Sequence, residues 1–210
     1  MVAAGGATAP SAAAAEEAAE MATAGAAAVE GGLGPIAVLC VGNRLMLDEG
    51  VGPAVYDELV RAYELPDSVM LRDVGCMGLD MLELVNACDY LVTVDALDGT
   101  GEPAGTVFEF APEDAARHSG AMASLHDLKL VDLFDAAALL GYEAEGRCFG
   151  MQVANMSPAE LTVGLTPTVY EALPRLVETV LACLVRRGVP VRVRATGELV
   201  RPGHQHQMEG

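Results

Sequence analysis

Ile36-Ala37-Val38-Leu39-Cys40-Val41, followed at once by Gly42-Asn43, is the stretch that decides how this chain reads. Six apolar residues run together with no polar residue to mark a solvent face. That is the signature of a strand buried on both sides, with Gly-Asn as its exit turn. Such a strand belongs to a parallel sheet covered by helices, and the flanking sequence supplies them. Pro53 to Leu65 carries Val55, Leu59 and Val60 and reads as an amphipathic helix. Val69 to Leu71 is a short strand ending at Asp73, and Leu79 to Ala87 is helical. Tyr90 to Val94 is a second buried strand, ending at Asp95. Thr106 to Phe110 reads as an edge strand. His126 to Leu140 has Leu130, Leu133, Phe134 and Ala137 at helical spacing, and Cys148 to Val153 is a last core strand. Thr168 to Arg187 is a helix with Arg186 and Arg187 suited to its C-terminal dipole and Gly188 to its C′ position. Pro174 is expected to kink that helix or divide off its first turn. Strands separated by helices give a three-layer α/β fold, a mostly parallel five-stranded sheet sandwiched by helices.

The chain has 210 residues, the length of one domain with tails. Residues 1–34 are nearly all Ala, Gly and small acidic residues, with no large apolar face to dock, and read as a disordered extension. Residues 35–190 are the expected domain. Residues 191–210 read as a short extended piece and then a flexible polar tail, with His204 and His206 in it. Without Trp and with four Phe, the core must be aliphatic. A formal net charge of -18 repels phosphate backbones and argues against nucleic acid as a partner. No run of about 18 strongly apolar residues suggests a membrane span, and the N-terminus lacks the pattern of a secretory signal. Five cysteines without a C-x-x-C pair fit neither a disulfide framework nor a zinc ribbon. They fit reduced thiols in a cytoplasmic protein, with a monomer as the default state.

In a parallel α/β sheet, ligands bind beyond the carboxyl ends of the strands. The first strand exits there into Gly42-Asn43-Arg44-Leu45-Met46-Leu47-Asp48-Glu49-Gly50-Val51-Gly52. Asp48 and Glu49 stand at the mouth of a helix, where free N–H groups stabilise a carboxylate. Alone, the turn is equally an ordinary N-cap. Its spacing is not that of a dinucleotide fingerprint, and it lacks the Gly-Lys-Ser/Thr of a phosphate loop. Asp95 follows the second buried strand, and His126 opens a helix. Together Glu49, Asp95 and His126 would offer two carboxylates and an imidazole from separate segments. Such a set suits a borderline divalent ion such as nickel or zinc, with positions left open. No H-E-x-x-H or G-x-S-x-G motif is present.

Four blocks, in order, resemble the maturation endopeptidases of nickel–iron hydrogenases. They are Val38 to Gly52, Val92-Thr93-Val94-Asp95-Ala96, Ser124-Leu125-His126-Asp127-Leu128 and Val163-Gly164-Leu165-Thr166-Pro167-Thr168-Val169. The resemblance implies a phosphorylase/hydrolase-like sandwich and a protease of aspartyl type. It implies that Glu49, Asp95 and His126 contact metal and carry catalysis. The substrate would be the hydrogenase large-subunit precursor, which loses a C-terminal peptide once nickel is inserted. The nickel would be carried by the substrate, with no permanently bound metal in the protease. The Asp73 turn departs from the family pattern: it reads Asp-Val-Gly-Cys where the family has Asp-Gly-Gly-Thr or Ser. A non-catalytic nickel sensor or chaperone on the same fold is the alternative. Asp48 is left between capping the following helix and assisting catalysis.

Overall fold

The computed structural model describes residues 34–76, 81–112, 114, 133, 136–142 and 145–208. The expected extension over residues 1–34 therefore lies, but for Gly34, outside the described residues, as does most of the expected helix from His126.

Strand β1 (Ile36–Val41) is buried along its whole length. Its side chains alternate between two apolar clusters. Ile36, Val38 and Cys40 enter one; Ala37, Leu39 and Val41 enter the other. Burial on both faces is why its sequence shows no alternation. Helices α1 (Val51–Ala62) and α3 (Pro167–Arg186) cover the first face, through residues such as Val55, Leu59, Leu173 and Val180. The short helix α2 (Leu82–Asn86) covers the second through Val85, joined there by Met81, Leu133 and Ala137. The three layers are those the sequence leads one to expect.

The remaining strands are β2 (Tyr63–Glu64), β3 (Val69–Gly75), β4 (Tyr90–Leu97), β5 (Val107–Phe110), β6 (Glu145–Gln152) and β7 (Arg192–Val193). The main sheet has five strands in the order β3-β1-β4-β6-β5, and β2 pairs with β7 separately. All neighbours in the main sheet are parallel except β5, which runs antiparallel to β6. From β1 the chain crosses to β3 on one side, then returns to β4 on the other. The connections leaving β1 and β4 thus diverge at the carboxyl edge and open a crevice between them.

Strand β4 is longer than the sequence suggests. Pairing with β1 ends at Cys40↔Val94, but pairing with β6 continues through Asp95↔Gly150 to Leu97↔Gln152. Asp95 therefore lies inside the strand rather than after it. Helix α3 runs through Pro174, which does not divide off its first turn. The carbonyl that a proline there leaves without its helical partner belongs to Tyr170, a residue on the exposed side of the helix. The buried row from Val169 to Leu184 holds both halves of the helix to one face. The helix ends in a Schellman pair. Gly188, at φ 84°, donates to Val185, and Val189 donates to Leu184.

The end of the chain is not the loose tail its polarity suggests. Val191 and Val200 are buried in the first cluster, with Met208 packed against it. The Val200 N–H donates to the Val191 carbonyl at 2.9 Å. Three apolar contacts at irregular spacing carry no periodic signal, so hydropathy alone misses them.

Candidate active site

The turn after β1 is shaped by close backbone approaches. Gly42 has φ 140°, and a Cβ there would sit 2.0 Å from the Glu49 carbonyl oxygen. Gly52, in the first turn of α1, lies against the ends of β1 and β4. A Cβ on it would meet the Val41 and Val94 carbonyl oxygens at 2.0 and 2.8 Å. Only glycine lets α1 start here. The Asn43 side chain accepts from the Leu45 N–H at 3.0 Å, the Asx turn its type favours. The left-handed residue is Leu47, with φ 54°, not Asn43. A leucine in that region is strained, and its N–H is held by the Thr162 carbonyl at 2.8 Å.

Asp48 and Glu49 lie in a short 3-10 turn, Leu47–Gly50, and both are buried. Asp48 does not cap the helix that follows it. Its Oδ1 accepts from the Thr166 N–H at 2.6 Å. Its Oδ2 accepts from the N–H groups of Ala154 and Asn155 at 3.1 and 2.9 Å, and from the Thr166 hydroxyl at 2.9 Å. Four bonds, one to Oδ1 and three to Oδ2, engage both oxygens of the carboxylate. Asp48 is thus a staple between the acidic turn and the loop that opens α3, with Thr166 as the α3 N-cap. The donors of those four bonds could not be read from sequence spacing, because all four come from more than a hundred residues away.

Glu49 faces the same edge of the sheet as Asp95. The 3-10 turn touches β4, and Gly52 packs against the carbonyl of Val94, the residue before Asp95. Glu49 is 6% exposed and Asp95 4%. Asp95 Oδ1 accepts from the Ala96 N–H at 2.7 Å. One carboxylate thus stands on the turn that follows β1 and the other on β4, the two strands that flank the crevice. His126 lies outside the described residues. Among the described residues, no group of three His, Cys, Asp or Glu is placed to hold a metal ion.

Sequence reasoning missed Arg44, the lone cation of the turn. Its guanidinium forks onto Asp57 of α1 at 2.5 and 2.9 Å, and its Nε donates to Asp73 of β3 at 2.9 Å. The Asp57 bond, then that to Asp73, raises the Arg44 pKa above its already high ordinary value. Asp73 in turn accepts from the Gly75 N–H at 3.1 Å. The Asp73 turn is thereby tied to the acidic turn across β1. The one available signal was an arginine in an otherwise acidic and apolar segment.

The buried thiols make poor nucleophiles. Cys40, Cys88, Cys148 and Cys183 are buried and outside any disulfide. Burial pushes the Cys88 thiol up to about 11 and the Cys40 thiol further, away from the thiolate that reacts. Among the described residues, no helix is long and apolar enough to cross a membrane.

Comparison with known proteins agrees with this architecture. The family described as hydrogenase maturation protease matches residues 53–183. The chain is 32% identical to the hydrogenase expression/formation protein HupD of Rhizobium leguminosarum bv. viciae, over 83% of this chain and 86% of that protein. It is also 32% identical to the hydrogenase 2 maturation protease of Escherichia coli (strain K12), over 73% of this chain and 93% of that one. Among solved structures, the hydrogenase maturating endopeptidase HybD from E. coli superposes with a TM-score of 0.70. It is 31% identical, covering 77% of this chain and 98% of that one. A superposable solved structure, two relatives matched over most of their length and a family match over residues 53–183 agree, and the chain belongs to the hydrogenase maturation protease family.

Proposed function

We propose that this protease removes the C-terminal peptide from the nickel-loaded large-subunit precursor of a nickel–iron hydrogenase, and that Glu49, Asp95 and His126 contact the nickel carried by that substrate. The observation that supports this most is the pair of buried carboxylates, Glu49 on the turn after β1 and Asp95 on β4, beside the topological switch point. Two carboxylates with an imidazole suit a borderline divalent ion such as the nickel that the substrate carries. The precursor's nickel, drawn to these side chains, would bring the scissile bond to the edge of the sheet. There its charge would polarise the carbonyl, or a carboxylate would take a proton from the attacking water. The metal belongs to the substrate, so the protease holds none between turnovers. The protein works in the cytoplasm as a monomer, with the precursor as its partner.

The test is processing of purified precursor, followed by intact mass. Nickel-loaded precursor should be shortened, and nickel-free precursor left whole. Glu49→Ala, Asp95→Ala and His126→Ala should each slow processing by more than about a hundredfold, the loss expected when a contact worth several kcal/mol in the transition state disappears. Full processing by any one variant removes that residue from the site. Tight nickel binding by the isolated protein without peptide release would instead favour the sensor or chaperone.

A further inference from the structure

The loop before α3 presents apolar side chains to solvent beside the acidic turn. Leu161 is 73% exposed, Val163 76% and Leu45 48%. Solitary exposed aliphatics are ordinary, but these three are brought together by backbone pairing. Met46 and Thr162 form a parallel bridge. The Thr162 N–H donates to the Leu45 carbonyl and the Leu47 N–H donates to the Thr162 carbonyl, both at 2.8 Å. In a parallel bridge of this register, Leu45 lies opposite Leu161. Leu161 and Val163, two residues apart, share the side away from Thr162. The backbone beneath them is fixed a second time by Asp48, which holds Ala154, Asn155 and Thr166 at the two ends of the loop.

We infer that Leu45, Leu161 and Val163 form the platform on which the hydrogenase large-subunit precursor seats an aliphatic patch of its own beside the scissile bond. The inference rests on the functional reading above. Continuity with the site selects the occupant. Leu45 is on the same turn as Glu49, so a protein that brings its metal to Glu49 covers this surface as it arrives. The chemistry selects the kind of contact. On a chain of net charge -18, these three side chains carry no charge, so recognition here is by burial of apolar area. A clamped loop also loses little freedom on binding, which favours affinity. The platform serves binding; the carboxylates serve the reaction.

The experiment compares wild type with Leu161→Ser/Val163→Ser in processing of nickel-loaded precursor, and in precursor affinity measured on Glu49→Gln backgrounds. The double variant should raise KM and Kd by about tenfold or more while kcat stays within about twofold. Leu161→Met should restore most of the loss, and Leu199→Ser, an exposed leucine on the chain's terminal segment, should change nothing. Melting temperature and circular dichroism confirm that each variant is folded. If wild type processes precursor and the double variant matches it in KM and Kd, the platform is wrong and the functional reading stands. If wild type neither binds nor cuts the precursor, the functional reading fails and takes the platform with it. A wild-type dimer that the double variant loses would assign the surface to a second copy and overturn the inference.

Discussion

Asp48 accepts four hydrogen bonds, three of them from backbone N–H groups, so its oxygens are sensitive to the smallest substitution. Asp48→Asn sets an amide N–H₂ against one of those N–H groups whichever way the side chain turns. It also removes the charge that strengthens the rest. The expected cost is about 2–3 kcal/mol, read as a lower urea midpoint. Processing should fall as well, because the same bonds fix the backbone from which Glu49 projects. An unchanged midpoint would show that the four bonds do not hold the turn. Glu49 differs in kind: Glu49→Ala should leave the midpoint nearly where it was and remove the activity. The contrast between two adjacent acids, one structural and one at the crevice, separates the staple from the site.

At the scale of elements, the position of α1 is set by Gly52. Its Cα sits where any Cβ would overlap the carbonyl oxygens of Val41 and Val94, and strand backbone does not give way as a flexible side chain does. Gly52→Ala should therefore push the first turn of α1 off the strand ends, at about 1–3 kcal/mol by the usual cost of overpacking. Glu49, three residues earlier, would move with it, so processing should fall at temperatures where the variant remains folded. Normal processing at full stability would mean that α1 can start elsewhere. The same element shows what was legible. The buried strands, α1 and the Gly188 stop are local patterns, written in consecutive or periodic residues, and they can be read directly. The places of Glu49 and Asp95 near the carboxyl edge were legible because β1 and β4 could be located and the carboxyl-edge rule applied to them; their roles are proposed. The partners of Asp48, the fork of Arg44 onto Asp57 and Asp73, and the survival of α3 through Pro174 were not legible. Each depends on which distant segments meet, and a single sequence does not encode that in any spacing.

Across the whole molecule, the chain closes on itself at the end opposite the crevice. Strand β7 pairs with β2, and beyond it a polar chain of contacts ties the terminal segment to α1 and α3. His206 Nε2 lies 2.9 Å from Glu58 Oε2 and its Nδ1 lies 2.9 Å from the Tyr63 hydroxyl, which is 3.0 Å from His204 Nε2. With Nε2–H donating to Glu58, His206 Nδ1 accepts from Tyr63, and the Tyr63 oxygen accepts from His204. This order needs a neutral His206 and an un-ionised Tyr63. Burial, opposed by Glu58, lowers the His206 pKa from its ordinary 6.5, with Arg61 lowering it and Glu178 raising it less. Burial, then Glu178 and Glu58, raises Tyr63 from 10.0 to about 12. Below about 6.5 the unfolded chain takes up a proton at His206 before the folded one does, so stability is lost as pH falls. Between about 10 and 12 the unfolded chain loses the Tyr63 proton first, so stability is lost again as pH rises. Urea midpoints measured across that range should therefore show two features. The advantage of wild type over His206→Gln should shrink below about pH 6.5, and its advantage over Tyr63→Phe should shrink above about pH 10. A difference that stays constant across both windows would mean that the terminal segment is held by Val191, Val200 and Met208 alone. Because the network lies at the far end of the sheet from Glu49 and Asp95, processing at neutral pH should survive both substitutions wherever the protein remains folded.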